Sequence, residues 1–231
     1  MTAGIPRILI IDDEAAIRKF VRIGLTAQQC DVLEADNGAE GLRLLTARDP
    51  DLVILDLGLP DVDGQEVIDA IRGVSAVPII VLSVRAEERD KIAALDHGAS
   101  DYVTKPFGIG ELTARIRALL RDRHSVHAPS TSFRAGPLHL DVQRHEVSLS
   151  GEAVKLSRKE FDLLALLLAN RGKMLTHKQI LREVWGPGHE EDTHYLRVYV
   201  GQLRQKLGDD PAEPHFIANE PGIGYRFLDP Q

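Results

Sequence analysis

Leu52-Val53-Ile54-Leu55-Asp56-Leu57-Gly58-Leu59-Pro60-Asp61-Val62-Asp63-Gly64 is the stretch on which the fold of the first half turns. Four consecutive apolar residues with no polar alternation describe a strand covered on both faces, as in a parallel sheet enclosed by helices. A carboxylate ends the run, and the Pro-Asp-Val-Asp-Gly beyond it is turn chemistry. Toward the N-terminus, Ile8-Leu9-Ile10-Ile11 is a second such run, closed by Asp12-Asp13-Glu14, and Val32-Leu33 marks a shorter strand. Toward the C-terminus, residues 77–82 stay apolar up to Ser83, and a last strand over 101–104 leads into Lys105-Pro106-Phe107. Helical stretches are predicted at about 14–28, with Ile17, Phe20, Val21 and Leu25 at helical spacing, at about 38–48, up to about Gly73, at 86–97 and at 110–121. The fourth stops at Gly98, a good C-terminal signal. Five β-α pairs predict an α/β domain of flavodoxin-like (βα)5 type with a parallel sheet, over residues 1–121.

A linker is predicted over 122–133, where Ser, Thr, His and Pro follow one another without period. The remaining 134–231 read differently. Leu138, Leu140, Val142, Val147, Leu149, Val154 and Leu156 lie in short strands broken by turns such as Ser150-Gly151. Ser157 with Glu160 forms a capping box for a helix to about Asn170, with Phe161, Leu164, Leu167 and Leu168 on its apolar face. Thr176 caps a second helix carrying Ile180, Leu181, Val184 and Trp185, stopped by Gly186-Pro187-Gly188. A third helix spans about 192–207. A hairpin turning at Pro221-Gly222-Ile223-Gly224 closes the chain, so the second half is predicted to be an α+β winged helix-turn-helix.

Charge divides with the folds. The net charge is −7, but residues 1–122 hold 14 Lys and Arg against 21 Asp and Glu, whereas residues 123–231 hold 14 of each. All the excess acid sits in the first half, so the overall balance does not argue against a nucleic-acid partner for the second. Cys30 is the one cysteine, which excludes an intramolecular disulfide and a multi-thiolate metal site and fits a reducing compartment. No apolar run approaches bilayer length, and the first one meets three acids at once, unlike a secretory leader. A cytoplasmic protein with no membrane partner is expected.

Ligands of open α/β sheets bind beyond the carboxyl ends of the strands. Asp12 and Asp13 follow the first strand, Asp56 ends the third, Ser83 ends the fourth and Lys105 follows the fifth. These residues are expected to converge on one patch. Three carboxylates in a small volume resist joint ionisation, and a hard cation such as Mg²⁺ relieves the repulsion. A carboxylate can attack phosphorus, and phosphoryl transfer then needs positioning and charge neutralisation more than covalent help. The cation, the Lys105 ammonium and the Ser83 hydroxyl supply these, so the site logic describes an aspartate that accepts a phosphoryl group. Each piece alone has a plainer reading, as a solvated loop or a helix cap; their placement at four strand ends does not. A Mg²⁺-dependent phosphohydrolase would need a second aspartate two positions after Asp56, where this chain has Gly58.

Ile10-Ile11-Asp12-Asp13-Glu14, the stretch from Leu55 through Gly64 and Lys105-Pro106-Phe107 closely resemble the receiver motifs of two-component response regulators. The resemblance implies that Asp56 is the phosphoacceptor, that Asp13, Asp56 and the Gly58 carbonyl ligate Mg²⁺ with Asp12 acting largely through water, and that Ser83 and Lys105 touch the phosphoryl group. Tyr102 matches the family's switch aromatic. It also implies a sensor histidine kinase as partner, with chemistry limited to self-phosphorylation and self-dephosphorylation. Val84 departs from the alanine common there and could narrow access to the phosphate. Residues 87–121 resemble the family's dimer face, with pairs Lys91–Glu111, Asp96–Arg117 and Asp101–Arg115 expected in a homodimer formed on phosphorylation.

In the second half, Leu196, Tyr199, Val200, Leu203 and Leu207 share one face of the third helix. The rest of it carries no acid from Thr193 to Leu207, while Glu190, Glu191 and Asp192 precede its start and suit the helix dipole. A polar, acid-free helix with Arg and Gln suits entry into a major groove. A solvated face or a protein-binding module is the alternative on charge alone. Leu203-Arg204-Gln205-Lys206-Leu207 and the stretch from Gly222 to Phe227 resemble the effector domain of the OmpR/PhoB-type regulators, and the fuller stretch His194 through Lys206, with Gly222 to Phe227, looks most like those that control Kdp-type potassium-transport genes; a regulator of another regulon is the alternative. That resemblance implies contacts to double-stranded promoter DNA from Thr193, His194, Tyr195, Arg197, Val198, Gly201, Gln202, Arg204 and Gln205, and from Gly224 and Tyr225 on the hairpin, with the loop at about 186–192 facing RNA polymerase. Relatives often carry Arg at the positions of Gly201, Gln202 and Pro221, so base-level specificity and an arginine contact from the wing do not carry over.

Overall fold

A computed structural model describes residues 5–84, 87–123 and 132–229. The chain divides into two compact units, with the boundary after Arg123.

The first unit alternates β1 (Arg7–Ile11), α1 (Ala15–Thr26), β2 (Asp31–Ala35), α2 (Gly38–Arg48), β3 (Leu52–Asp56), α3 (Gly64–Val74), β4 (Ile79–Ser83), α4 (Glu88–Asp96), β5 (Asp101–Thr104) and α5 (Ile109–Arg123). The strands form one sheet in the order β2-β1-β3-β4-β5, parallel throughout. Every residue of β3 and β4 is buried, as the uninterrupted apolar runs predict for strands covered on both faces. Ile8, Ile10, Ile54, Ile80 and Leu82 pack with Val21 and Leu25 of α1 and with Leu112, Ile116 and Leu119 of α5. Leu9 and Ile11 alternate to the opposite face. There α2 comes so close that a Cβ on Gly41 would lie 2.4 Å from the Ile11 side chain. The order reverses direction between β1 and β3, and the crevice at their carboxyl ends is where a ligand of such a sheet sits.

The turn after β3 also anchors its neighbours. Both Asp61 oxygens accept N–H groups at the start of α2, from Gly38 at 2.9 Å and Ala39 at 3.0 Å, and these bonds hold the Asp61 carboxyl below its ordinary pKa. Gly64 opens α3 against the Leu57 backbone, where a Cβ would stand 2.5 Å from the Leu57 Cα, so only glycine fits.

The second unit begins with β6 (Ser132–Ala135), β7 (Leu138–Asp141), β8 (Glu146–Leu149) and β9 (Glu152–Ala153), an antiparallel sheet in that order. Then come α6 (Arg158–Ala169), β10 (Met174–Thr176), α7 (His177–Trp185), a 3₁₀ turn (Pro187–His189), α8 (Thr193–Leu207), β11 (Ile217–Glu220) and β12 (Gly224–Phe227). The last sheet runs β10-β12-β11, so the hairpin gains a third strand that three residues with no period do not announce. Val142, expected in a strand, is 40% exposed in a turn after β7. Val154 and Leu156 lie beyond β9 and pack on the core from outside the sheet. Helix α5 continues to Arg123 and β6 starts at Ser132, so both ends of the expected linker, 122–133, belong to regular elements; the stretch between lies outside the described residues. No helix among the described residues is long and apolar enough to cross a membrane.

Two capping boxes set the helix starts, Ser157 with Glu160 and Thr176 with Gln179. Glu160 does more than cap. It is buried, and it accepts the Lys206 ammonium at 2.6 Å besides the Ser157 N–H, tying the start of α6 to the end of α8. Burial alone would raise its pKa, but the bonds from Lys206 and Ser157 outweigh it and hold it below the ordinary carboxylate value. A depressed folded pKa contributes stability that is present above the unfolded pKa and is lost as pH falls through the folded one. Unfolding followed by Trp185, the chain's one tryptophan, should therefore show the second unit weakening on acidification below the normal Glu range, and Glu160→Gln should flatten that dependence.

Candidate functional site

The first candidate site lies at the carboxyl ends of β1, β3, β4 and β5. Asp56 is the last residue of β3, and Asp12 and Asp13 follow β1 directly. Oxygens of Asp12, Asp13 and Asp56 all lie within 4.8 Å of one another. Lys105, just past β5, is held there by its own N–H bonding the Ser83 carbonyl at 2.8 Å. Its ammonium donates to Asp56 Oδ2 at 2.8 Å, Asp12 Oδ2 at 2.9 Å and Glu14 Oε1 at 3.1 Å. The other Asp56 oxygen accepts the Gly58 N–H at 3.2 Å. Asp12, Asp56 and Ser83 are buried and Asp13 is exposed, so the cluster opens to solvent on the Asp13 side.

Electrostatics follow from this packing. Burial raises the Asp12 pKa, opposed by Lys105 and by the Glu14 N–H, with the neighbouring Asp56 charge raising it further. Burial would lower Lys105, but its bonds to Asp56, Asp12 and Glu14 win and hold it above the ordinary lysine value. One ammonium facing three carboxylates leaves an excess of negative charge in a small volume. A hard cation that takes oxygen ligands and keeps several waters fits that donor set and the open side.

The structure thus brings Asp12, Asp13, Asp56 and Lys105 together, with Ser83 at the end of the adjacent strand. Glu14, which the sequence places in the acidic cluster after β1 without a role, joins them through Lys105. Tyr102 is buried on β5 opposite Val81. Val84 is 72% exposed. At Gly58 only backbone is offered, so the acid that a phosphohydrolase would need is absent there.

Among the residues expected on a dimer face, one pair is closed within a single chain. Arg115 donates to both Asp101 oxygens, at 3.1 and 3.4 Å, and to Glu111 at 2.7 Å. Asp101 is 1% exposed and caps the Tyr102 N–H. In this conformation Asp101 and Arg115 are thus paired within one chain. Lys91 is half-buried, and Asp96, Glu111 and Arg117 are exposed.

The second candidate site is the outer face of α8. Leu196, Val200, Leu203 and Leu207 are buried, and Tyr199 is half-buried against Trp185 at 5.2 Å. His194, Tyr195, Arg197, Val198, Gly201, Gln202 and Gln205 are exposed on the outer side, with Thr193 half-buried at its start. Three further expected contact residues, Arg204, Gly224 and Tyr225, are less exposed. Arg204 turns inward and donates to the Ile217 carbonyl at 2.7 Å, with Asp209 3.8 Å from its Nε. Tyr225 is buried in the core, and Gly224 sits so close to β10 that a Cβ would meet the Leu175 carbonyl oxygen at 1.8 Å. Burial raises the Tyr225 phenol pKa, opposed by the charges of Arg204 and Arg197. Arg204 thus ties α8 to β11, and Gly224 lets β12 pack closely on β10. The sequence pattern marks the positions but not the inward direction of the Arg204 and Tyr225 side chains.

Comparison with known proteins matches residues 8–117 to the response regulator receiver domain and residues 151–227 to the C-terminal domain of transcriptional regulatory proteins. The KDP operon transcriptional regulatory protein KdpE of Escherichia coli K12 is 52% identical over 96% of this chain and 98% of its own length. The transcriptional regulatory protein KdpE of Mycobacterium tuberculosis H37Rv is 44% identical over 95% and 98%. The crystal structure of the response regulator DrrB, an OmpR/PhoB homologue from Thermotoga maritima, matches with a TM-score of 0.50 at 28% identity, over 97% of this chain and all of that one.

Proposed function

Because this chain belongs to the OmpR/PhoB-type two-component response regulators, with a receiver and a DNA-binding winged-helix domain, we propose that Asp56 accepts a phosphoryl group from a sensor histidine kinase and that the modification controls binding to promoters of Kdp-type potassium-transport genes. One observation carries the first part: a buried carboxylate at a strand end, 2.8 Å from a lysine ammonium and clustered with two further aspartates. An Asp56 oxygen attacks phosphorus, and the bond from phosphorus to the donor's imidazole nitrogen breaks with its electrons leaving on nitrogen. Asp13, Asp56 and the Gly58 carbonyl would hold Mg²⁺, with Asp12 acting through water; the ion supplies neutralisation of the phosphoryl oxygens. Lys105 shifts an N–H from a carboxylate onto a phosphoryl oxygen, and the Ser83 hydroxyl donates to another. Chemistry is confined to gain and loss of this group.

Ser83 and Tyr102 lie on the two strands that lead toward α4 and α5, and movement there is our route to the dimer. The face formed by Lys91, Asp96, Asp101, Glu111, Arg115 and Arg117 would pair two receivers, and two winged helices would gain avidity on repeated half-sites. The loop at 186–192 would meet RNA polymerase. The protein would work in the cytoplasm. The second half of the reading rests on the acid-free outer face of α8, with His194, Arg197, Gln202 and Gln205 presented to the groove.

Fluorescence anisotropy on DNA from upstream of a potassium-transport operon tests this reading. Phosphodonor with Mg²⁺ should tighten binding at least about tenfold, and unchanged affinity would overturn the switch. Arg197→Ala should weaken binding, by about 1–3 kcal/mol if it reads a base edge; a uniform loss across sequences, with a salt slope shallower by about one, would mark a phosphate contact instead. Tyr225→Phe should leave affinity nearly unchanged, since its ring is enclosed.

A further inference from the structure

The two acids that follow β1 are neighbours in sequence, and this poses a geometric problem. Successive side chains of an extended chain point to opposite sides, yet oxygens of Asp12 and Asp13 lie within 4.8 Å of each other and of Asp56. The backbone must leave strand geometry to allow this, and it bends at Asp13. Successive carbonyls of an extended chain likewise point to opposite edges. Here the Asp12 and Asp13 carbonyls converge on one nitrogen, Arg18 Nη1, at 2.7 and 2.9 Å. Both precede Glu14, the N-cap of α1, whose own carbonyl takes the first helical N–H, from Arg18, at 3.1 Å. They therefore lie outside the hydrogen-bond ladder of the helix, and the guanidinium supplies what the ladder does not. The Arg18 side chain is 16% exposed, with Glu34 of β2 3.8 Å from its Nε. Arg22, one turn further along α1, pairs with the same Glu34 at 2.6 Å.

We propose that Arg18 is a positioning residue for the cation site: by clamping the two carbonyls it holds the bend that turns both carboxylates toward Asp56. The proposal rests on the reading of the cluster as the Mg²⁺ site of the phosphoacceptor Asp56. Charge and clamp predict effects of opposite sign. Arg18 is itself a cation, so by Coulomb repulsion alone its removal would strengthen the binding of a divalent ion. Loss of the clamp lets the bend relax and weakens that binding. Arg22 is the control, because it shares Glu34 but makes no bond to either carbonyl.

The experiment uses the full chain. Calorimetric titration with Mg²⁺, well below the melting temperature, gives the affinity, and labelling by acetyl phosphate at saturating Mg²⁺ gives the rate of the filled site. Arg18→Met should weaken Mg²⁺ binding about tenfold, the low end of the cost of losing an outer partner of a metal site. Its labelling rate at saturation should stay within about twofold of wild type, since the defect lies in binding. Arg22→Met should bind Mg²⁺ as wild type or slightly tighter. Arg18→Lys keeps the charge and a donor on a stem one bond shorter, and should fall between wild type and Arg18→Met. Wild-type or tighter binding in Arg18→Met would overturn the proposal. So would an equal loss in Arg22→Met, which would mark a general role in holding α1 on β2. If Arg18→Met does not fold, Arg18→Lys decides: weaker binding supports the clamp and wild-type binding overturns it. If wild type neither binds Mg²⁺ nor labels, the reading of the cluster fails and takes the inference with it; if wild type does both and Arg18→Met matches it, the inference alone fails.

Discussion

Asp56→Asn is expected to abolish labelling by a phosphodonor and, with it, any effect of the donor on DNA binding, while the receiver stays folded. The loss should be complete, because the amide offers no comparable nucleophile. The fold should survive for a local reason. Lys105 keeps Asp12 and Glu14 as partners, so no buried cation is stranded. The variant also relieves repulsion, since the Asp56 charge is one of the causes that raise the Asp12 pKa. Intact-mass measurement after exposure to acetyl phosphate, with a melting curve alongside, checks both halves. A variant that still gains one phosphoryl group per chain would contradict the assignment. A collapse in melting temperature would show instead that Asp56 is structural.

The second large effect is expected in the winged helix, at Asp209. Its side chain is fully buried, and its carboxylate accepts the N–H groups of His215, Phe216 and Ile217 at 2.7, 3.0 and 3.0 Å. Those bonds fix the entry into β11, and Asp209 also faces the Arg204 guanidinium that ties α8 to the same strand. Asp209→Ala would leave backbone donors buried without acceptors and Arg204 without its counter-charge. A loss of about 3–5 kcal/mol follows from such a deletion, measured by urea unfolding with Trp185 fluorescence as the probe of this domain. A loss under about 1 kcal/mol would show that the segment finds other acceptors. Because α8 and the wing are joined through this unit, DNA affinity should fall in Asp209→Ala even at temperatures where the domain remains folded.

These two sites differ in how far the sequence discloses them. The meeting of Asp12, Asp13, Asp56 and Lys105 can be read in advance because each stands at or just past the end of an expected strand, and a parallel sheet sends all such ends to one side. Ser157 with Glu160 is equally legible, since a capping box is a four-residue pattern; Thr176 with Gln179 follows the same rule, with Gln in place of Glu. What stays hidden depends on direction in space. Arg204 and Tyr225 lie in the stretches that resemble DNA-binding elements, and only the pairing of β10, β11 and β12 reveals that they point inward. The closure of Asp101 on Arg115 is hidden likewise, because a strand residue and a helix residue 14 positions apart pair as easily between chains on paper as within one. β10 escapes because three residues carry no period, and the reach of Glu14 to Lys105 because an acid at a helix start already has a sufficient local explanation.

The central claim is that one carboxylate in the cluster, and no other, becomes the acyl phosphate. Labelling the intact protein with acetyl phosphate and Mg²⁺, trapping the adduct by borohydride reduction and mapping the peptides tests it most directly. The account predicts a single modified position, residue 56, and its disappearance when the cation is chelated. Modification at Asp12, Asp13 or outside the cluster, or labelling at residue 56 that is indifferent to the cation, would contradict it.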